Sequence, residues 1–353
     1  MRPTTLLSFF ALLLATTVAR AEEPSAQDPV WTLFATDSEA SLRGLSALDR
    51  DNGWATGAGG TVIATNDGGS TWRSIEVPGA EALDIRDVEL FADGSAVLMT
   101  AGQPARLYRV KAGESVASLT HESPHPAAFF DALDFWDESR GLVFSDPVDG
   151  RFLVLETTDG GASWRELSPD SFPEPIAGEA GFAASGSNVT VYGEGLAWIG
   201  TGGAAARVLR SSDSGQSWKV AETPMELEAG TAGIFSIAFR DGVHGLAGGG
   251  DYQDPENPVG NLSRTVDGGS TWTTVEVAPP SGHRAAVAHV PGRATETWIS
   301  VGRAGSDIST DDGLSWRRFS ATGFYTLAVG RDGAVWAAGS EGRVARLEWP
   351  GDR

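Results

Sequence analysis

Residues 65–72 read TNDGGSTW, and near-copies of this stretch decide the fold. They recur as TTDGGASW at 157–164, SSDSGQSW at 211–218, TVDGGSTW at 265–272 and STDDGLSW at 309–316. Asp-Gly-Gly is strong turn chemistry. In each copy the aspartate (Asp67, Asp159, Asp213, Asp267, Asp311) is expected to accept backbone N–H bonds while the glycines take positive φ. The Ser or Thr hydroxyls tie the base of the turn. The closing tryptophan (Trp72, Trp164, Trp218, Trp272, Trp316) packs between sheets, and its indole N–H needs one acceptor. We read all five as structural fasteners between a third strand and a short outer strand.

The closing tryptophans lie 92, 54, 54 and 44 residues apart. The first gap is double, and residues 91–110, FADGSAVLMTAGQPARLYRV, supply a strand–turn–strand unit without the closing turn. A period of about 40 to 55 residues with all-β patterning indicates propeller blades. Each unit has an apolar first strand (LRGLSAL, FDALDF, IFSIAF). A second strand rich in Ala, Gly and Trp follows (GWATG, GLVFS, VWAAG), and then a third ending in Ser or Thr. The small residues of the second strand suit a position where neighbouring sheets pack closely. Second strands near Trp54, Val97, Leu142, Trp198, Leu246, Trp298 and Trp336 make seven units. The last unit stops after its third strand. Residues 31–34, WTLF, match the outer strands WRSI, WREL, WTTV and WRRF. The expected fold is therefore all-β, one seven-bladed β-propeller whose N-terminal strand completes the last blade, removing an edge that would invite aggregation.

The chain has 353 residues, a net charge of −21 and no cysteine. An acidic surface repels phosphate backbones and anionic membranes, which argues against nucleic-acid partners. Arg2 followed by LLSFFALLLATTV, with ARA at residues 19–21, reads as a cleavable export signal over 1–21. The single propeller domain then spans 22–353, expected as a soluble, periplasmic or secreted monomer. Without cysteine neither disulfides nor a lipid-modified N-terminal cysteine are possible, and no later stretch is long and apolar enough to span a membrane.

The repeated turns match the motif S/T-x-D-x-G-x-S/T-W, the Asp box or bacterial neuraminidase repeat of sialidases, other glycoside hydrolases and non-enzymatic propellers. Over about residues 30–349 the whole pattern resembles the photosystem II stability/assembly-factor propellers and their bacterial relatives outside photosynthesis. Residues 129–152 (FFDALDFWDESRGLVFSDPVDGRF), 198–218 (WIGTGGAAARVLRSSDSGQSW) and 233–252 (GIFSIAFRDGVHGLAGGGDY) carry that resemblance. It implies an exported, non-catalytic scaffold that binds a protein partner.

An enzyme would need a constellation. A sialidase-like site takes three arginines, a Tyr–Glu pair and an acidic Asp, and no arginine motif precedes the turn at Asp67. The four tyrosines are Tyr108, Tyr192, Tyr252 and Tyr325. The five histidines form no metal motif: Pro124 and Pro126 deny His121 and His125 the helix that would align them. No G-x-S-x-G elbow and no G-x-G-x-x-G opening a helix is present, so no cofactor is expected. Residues 248–258, GGGDYQDPENP, hold acidic oxygens dense enough for Ca²⁺ but without the regular ligand spacing, so no metal is assigned. Residues 168–182 are a Pro-rich insertion that could overhang the channel or merely connect.

Geometry singles out one ring. The start of each innermost strand lines one mouth of a propeller's channel, and aligning the first strands gives Arg43, Arg86, Asp131, Phe182, Phe235, Arg284 and Tyr325. Two readings stay open: the residues plug the channel and pair with one another, or they form a recognition surface, with arginines forking onto carboxylates and aromatics anchoring a partner. The remaining functional alternative is a carbohydrate-active propeller with its acids near the same mouth.

Overall fold

The computed structural model describes residues 28–225 and 230–351. The expected export signal lies outside the described residues. Seven antiparallel sheets form the blades, and their innermost strands neighbour one another in a closed ring, from Leu42–Ala47 round to Thr326–Val329. The first blade shows the plan: Leu42–Ala47, Gly53–Gly57, Val62–Thr65 and Arg73–Ser74 run from channel to rim. Second strands are mostly buried, and Gly53–Gly57 and Ala96–Ala101 are buried along their whole length. Their composition follows from this: small residues let blades approach, and a tryptophan fills each larger gap. Trp198, Trp298 and Trp336 are all fully buried; the Trp298 indole N–H donates to Asp312 Oδ1 in the turn of its own blade at 3.2 Å, and the other two reach the next blade. Trp198 donates to the Gly268 carbonyl at 2.9 Å and Trp336 to the Asp49 carbonyl at 3.1 Å.

The ring closes with the N-terminal strand. Val30–Phe34 pairs antiparallel with Val344–Glu348, with Trp31 opposite Leu347 and Phe34 opposite Val344. Trp31 donates to Ser306 Oγ at 3.0 Å and lies 4.9 Å from the Phe324 ring, so closure also joins the sixth and seventh blades.

All five repeated turns fold alike. In the first, Asp67 accepts the Thr71 amide at 2.9 Å and its hydroxyl at 2.6 Å, while Thr65 Oγ1 accepts the Gly69 amide at 3.0 Å. Glycines take the positive-φ positions except where Ser214 and Asp312 do so. Trp218, Trp272 and Trp316 donate to a carbonyl of their own turn. The Trp72 and Trp164 indole nitrogens are buried without an acceptor among the described residues. The turns do more than join two strands of one blade. A Cβ on Gly161 would meet Val97 at 2.5 Å, one on Gly269 would meet Trp198 at 2.9 Å, and one on Gly313 would meet Leu246 at 2.9 Å. Each of these partners belongs to the preceding blade. On Gly69 the clash would be with Phe34 of the closing strand, at 2.8 Å. The second glycine of the motif is thus where blade docks on blade.

One blade departs from the plan. The innermost strand of the fourth is only Val189–Tyr192. The chain before it leaves the sheet and threads the channel. There the Ser185 carbonyl accepts from Thr326 Oγ1 at 2.9 Å, and the Ser187 carbonyl accepts from the Ile237 amide at 2.7 Å. Upstream, Glu179–Ala180 pairs with Gly202–Gly203. Among the described residues no helix is long and apolar enough to cross a membrane.

Candidate functional site

At the end of the channel where the innermost strands begin lies a cavity of about 320 Å³. Of the seven candidate residues, Arg43, Arg86, Phe182, Phe235 and Tyr325 line it. A common backbone feature sets several of them. The register of the innermost strand slips between Leu42 and Gly44, between Ile85 and Asp87, between Phe130 and Ala132, and between Ile234 and Ser236. Arg43, Arg86, Asp131 and Phe235 are the residues at these slips. A bulge re-aims a side chain that strict alternation would send into a sheet face.

Two candidates sit elsewhere. Arg284 is fully buried and paired with Asp307, Nη1 to Oδ2 at 2.5 Å, and also donates to the Gly305 carbonyl at 3.1 Å. Burial lowers its pKa to about 10. It ties interior strands together and presents nothing to the mouth. Asp131 is likewise buried, beneath Gly181, where a Cβ would meet its carboxylate at 2.4 Å. Burial, then the neighbouring Asp146 charge, raises its pKa well above the ordinary carboxylate range. Phe182 does reach the cavity, but from the threaded segment and not from the start of an innermost strand. The insertion at 168–182 is more than a connector at its end, since Gly181 and Phe182 form cavity wall.

Three further polar or aromatic side chains join the lining, beside Phe129, Ala183, Ala184 and Ala285. Tyr252 arrives from the 248–258 loop. Arg303 sits in the turn between Thr297–Gly302 and Gly305–Ser309. His283 comes from just before Ala286–Val290. Among the described residues no group of three or more His, Asp or Glu side chains could hold a metal ion.

The wall is aromatic. Phe182 stacks on Phe235 with centroids 4.1 Å apart and planes 7° apart, and Tyr252 meets both rings edge-on. His283 packs edge-on to Phe235 at 4.4 Å. Both its ring nitrogens are buried and unpartnered. Burial, then the Arg284 charge, pushes its pKa down to about 3, so it stays neutral. The opposite wall is basic. Arg43 lies over the Tyr325 ring at 4.3 Å, and its pKa is lowered by burial and then by Arg86. Arg86 donates to the Ala183 carbonyl at 2.7 Å and pairs with Asp84 at 3.0 Å. Arg43 and Arg303 make no ion pair with any described residue. No carboxylate is among the lining side chains, whereas a glycosidase needs two across the scissile bond.

Fold and site together define a class: a seven-bladed propeller with a basic, aromatic cavity at one mouth. The chain matches no family model. It is similar to the photosystem II assembly lipoprotein Ycf48 of Synechococcus sp. (strain CC9902), at 21% identity over 287 residues, 71% of this chain and 80% of that protein. Among solved structures it is similar to YCF48 bound to D1 peptide, with a TM-score of 0.67 at 14% identity over 95% of this chain and 100% of that one. It is also similar to YCF48 from Cyanidioschyzon merolae, with a TM-score of 0.63 at 18% identity over 90% and 98% of the two chains. At these identities the structural matches show a shared fold. The resemblance to the assembly-factor propellers, read first from the sequence, stands.

Proposed function

We propose that this chain is a non-catalytic protein-binding propeller whose mouth cavity takes an acidic segment of a partner, one that sets a carboxylate beside an apolar side chain. The carrying observation is the grouping of two arginines that form no ion pair among the described residues, Arg43 and Arg303, with the Phe235–Tyr252 wall. In a chain of net charge −21, unpaired arginines grouped on one cavity are not a solvated face. An arginine fork recognises a carboxylate in two hydrogen bonds, and aromatic walls anchor partners. The similar structure that holds a D1 peptide supports a protein segment as the ligand. In this reading residues 1–21 are a cleaved leader, the chain acts outside the cytoplasm as a monomer, and the five repeated turns are Asp boxes of purely structural role.

The test is affinity capture from the exported fraction, with residues 22–353 as bait beside an Arg43→Ala/Arg86→Ala/Arg303→Ala version. Arg284 stays intact, because it is interior. A protein retained by the first bait and lost from the second supports the reading. Equal capture by both places the contact elsewhere.

A further inference from the structure

The mouth has a wall that is bonded firmly at both ends and held between them by two polar contacts and one stacked ring. Upstream, Glu179 is buried against Arg207, with Nε to Oε1 at 2.9 Å, and it also accepts from Thr201 Oγ1 at 2.7 Å. Downstream, Ser185 and Ser187 are bonded to the seventh and fifth blades inside the channel. Residues 181–184 bridge these posts as a tight turn, closed by the Ala184 amide on the Phe182 carbonyl at 2.7 Å. Two polar contacts hold this turn to the rest of the molecule. The Gly181 amide donates to Asp146 Oδ1 at 2.8 Å, and Arg86 Nη1 donates to the Ala183 carbonyl at 2.7 Å. The Arg86 Nε is buried with no acceptor.

The ring the turn carries fills a flat slot. Phe182 lies on Phe235, and a Cβ on Gly202 would meet it at 2.1 Å and one on Gly233 at 3.0 Å. Two glycines and a phenylalanine thus make a bed shaped for a planar group.

We propose that residues 181–184 are a ligand-operated lid: a partner carboxylate arriving on Arg86 displaces the Ala183 carbonyl, the turn lifts, and Phe182 yields the Phe235 face to an apolar side chain of the partner. The proposal rests on the mouth being the binding site. Arg86 Nη2 stays on Asp84; the exchange is at Nη1 and the free Nε, where a charged acceptor binds a guanidinium more strongly than a neutral carbonyl does. A ligand shifts such an equilibrium only by its differential affinity for the open state. Here that difference is the Arg86 contact, which the closed lid blocks. An apolar ligand without a carboxylate therefore finds the slot occupied.

The chain has no cysteine, so Ala184→Cys carries an environment-sensitive fluorophore at a single site on the turn, at the cavity lining, and the arm without added probe reads the turn alone. The probe is 3-phenylpropionate, with its neutral amide as control, and calorimetry follows binding separately. The lid predicts a saturable emission shift with the acid and none with the amide. It also predicts that Arg86→Ala, or Arg86→Lys if the first fails to fold, sits near the shifted value with no probe added. Binding heat with unmoved emission overturns the lid and leaves the mouth as a site. No binding heat beside a shifted Arg86→Ala label overturns the carboxylate site and keeps the latch. An Arg86→Ala label equal to wild type overturns the latch whatever the probe does.

Discussion

Glu89 and Asp134 line the opening of the channel opposite the mouth. Burial, and for Glu89 then the Asp134 charge, pushes them up to about 8 and about 7. A carboxyl raised in the folded state keeps its proton where the unfolded chain has lost it. Its contribution is therefore present below the ordinary value of 4.5 and is lost as pH rises to about 8. Glu89→Gln should flatten the decline of melting temperature across that window and raise stability at its upper end; an unchanged slope would refute the assignment. The repeated-turn aspartates behave oppositely. At Asp159 burial acts to raise the pKa, but the bonds from Ser163 outweigh it and the pKa falls, so that stability is lost in acid. Glycine at the second turn position is a packing requirement. Gly269→Ala should cost about 1–3 kcal/mol in chemical denaturation from overpacking against Trp198. Gly113→Ala, also at positive φ but with open space around it, reports the backbone cost alone. At this scale the candidate site was half legible. Arg43, Arg86 and Phe235 stood where strand starts were expected, and the bulges turned them inward. Arg284 lies inside, paired with Asp307, and the arginine that faces the cavity from this blade is Arg303, on the turn after the second strand, which an alignment of first strands does not reach.

The elements show where the repeat is broken. The second strands, third strands and turns were legible because their residues serve a local need that recurs. The threaded segment was not. Its AASGSN run satisfies no strand pattern, and its bonds are to blades five and seven, far along the chain. The anchor upstream of it is a buried ion pair, and removing one partner leaves the other charge unpaired. Glu179→Ala should therefore cost about 3–5 kcal/mol. If denaturation shows a loss no larger than that of an exposed pair such as Arg140 with Asp137, the segment is not fixed as described. The proposed lid depends on these anchors staying fixed while the Arg86 and Asp146 contacts of the turn exchange.

For the whole molecule, closure is the feature the sequence states most directly, since four residues at the front match the outer strands elsewhere. Removing residues 22–34 exposes the edge of Val344–Glu348 and empties the pocket that holds Trp31. The truncated protein should melt earlier and associate, as seen by light scattering; a monomer of unchanged stability would contradict the closed ring. Charge is also a property of this scale. A chain of −21 repels acidic partners except where arginines gather, so binding at the mouth should be local and should weaken with salt. The measurement that bears most directly on the central claim is selection from a random peptide display library on residues 22–353, repeated on Arg43→Ala/Arg303→Ala. We predict enrichment of peptides that set Asp or Glu beside an aromatic or aliphatic residue. Each lost charge-assisted contact is worth about 1.5–3 kcal/mol, so affinity for the double variant should fall by at least tenfold. Equal binding to both proteins, or enrichment of basic peptides, would contradict the account.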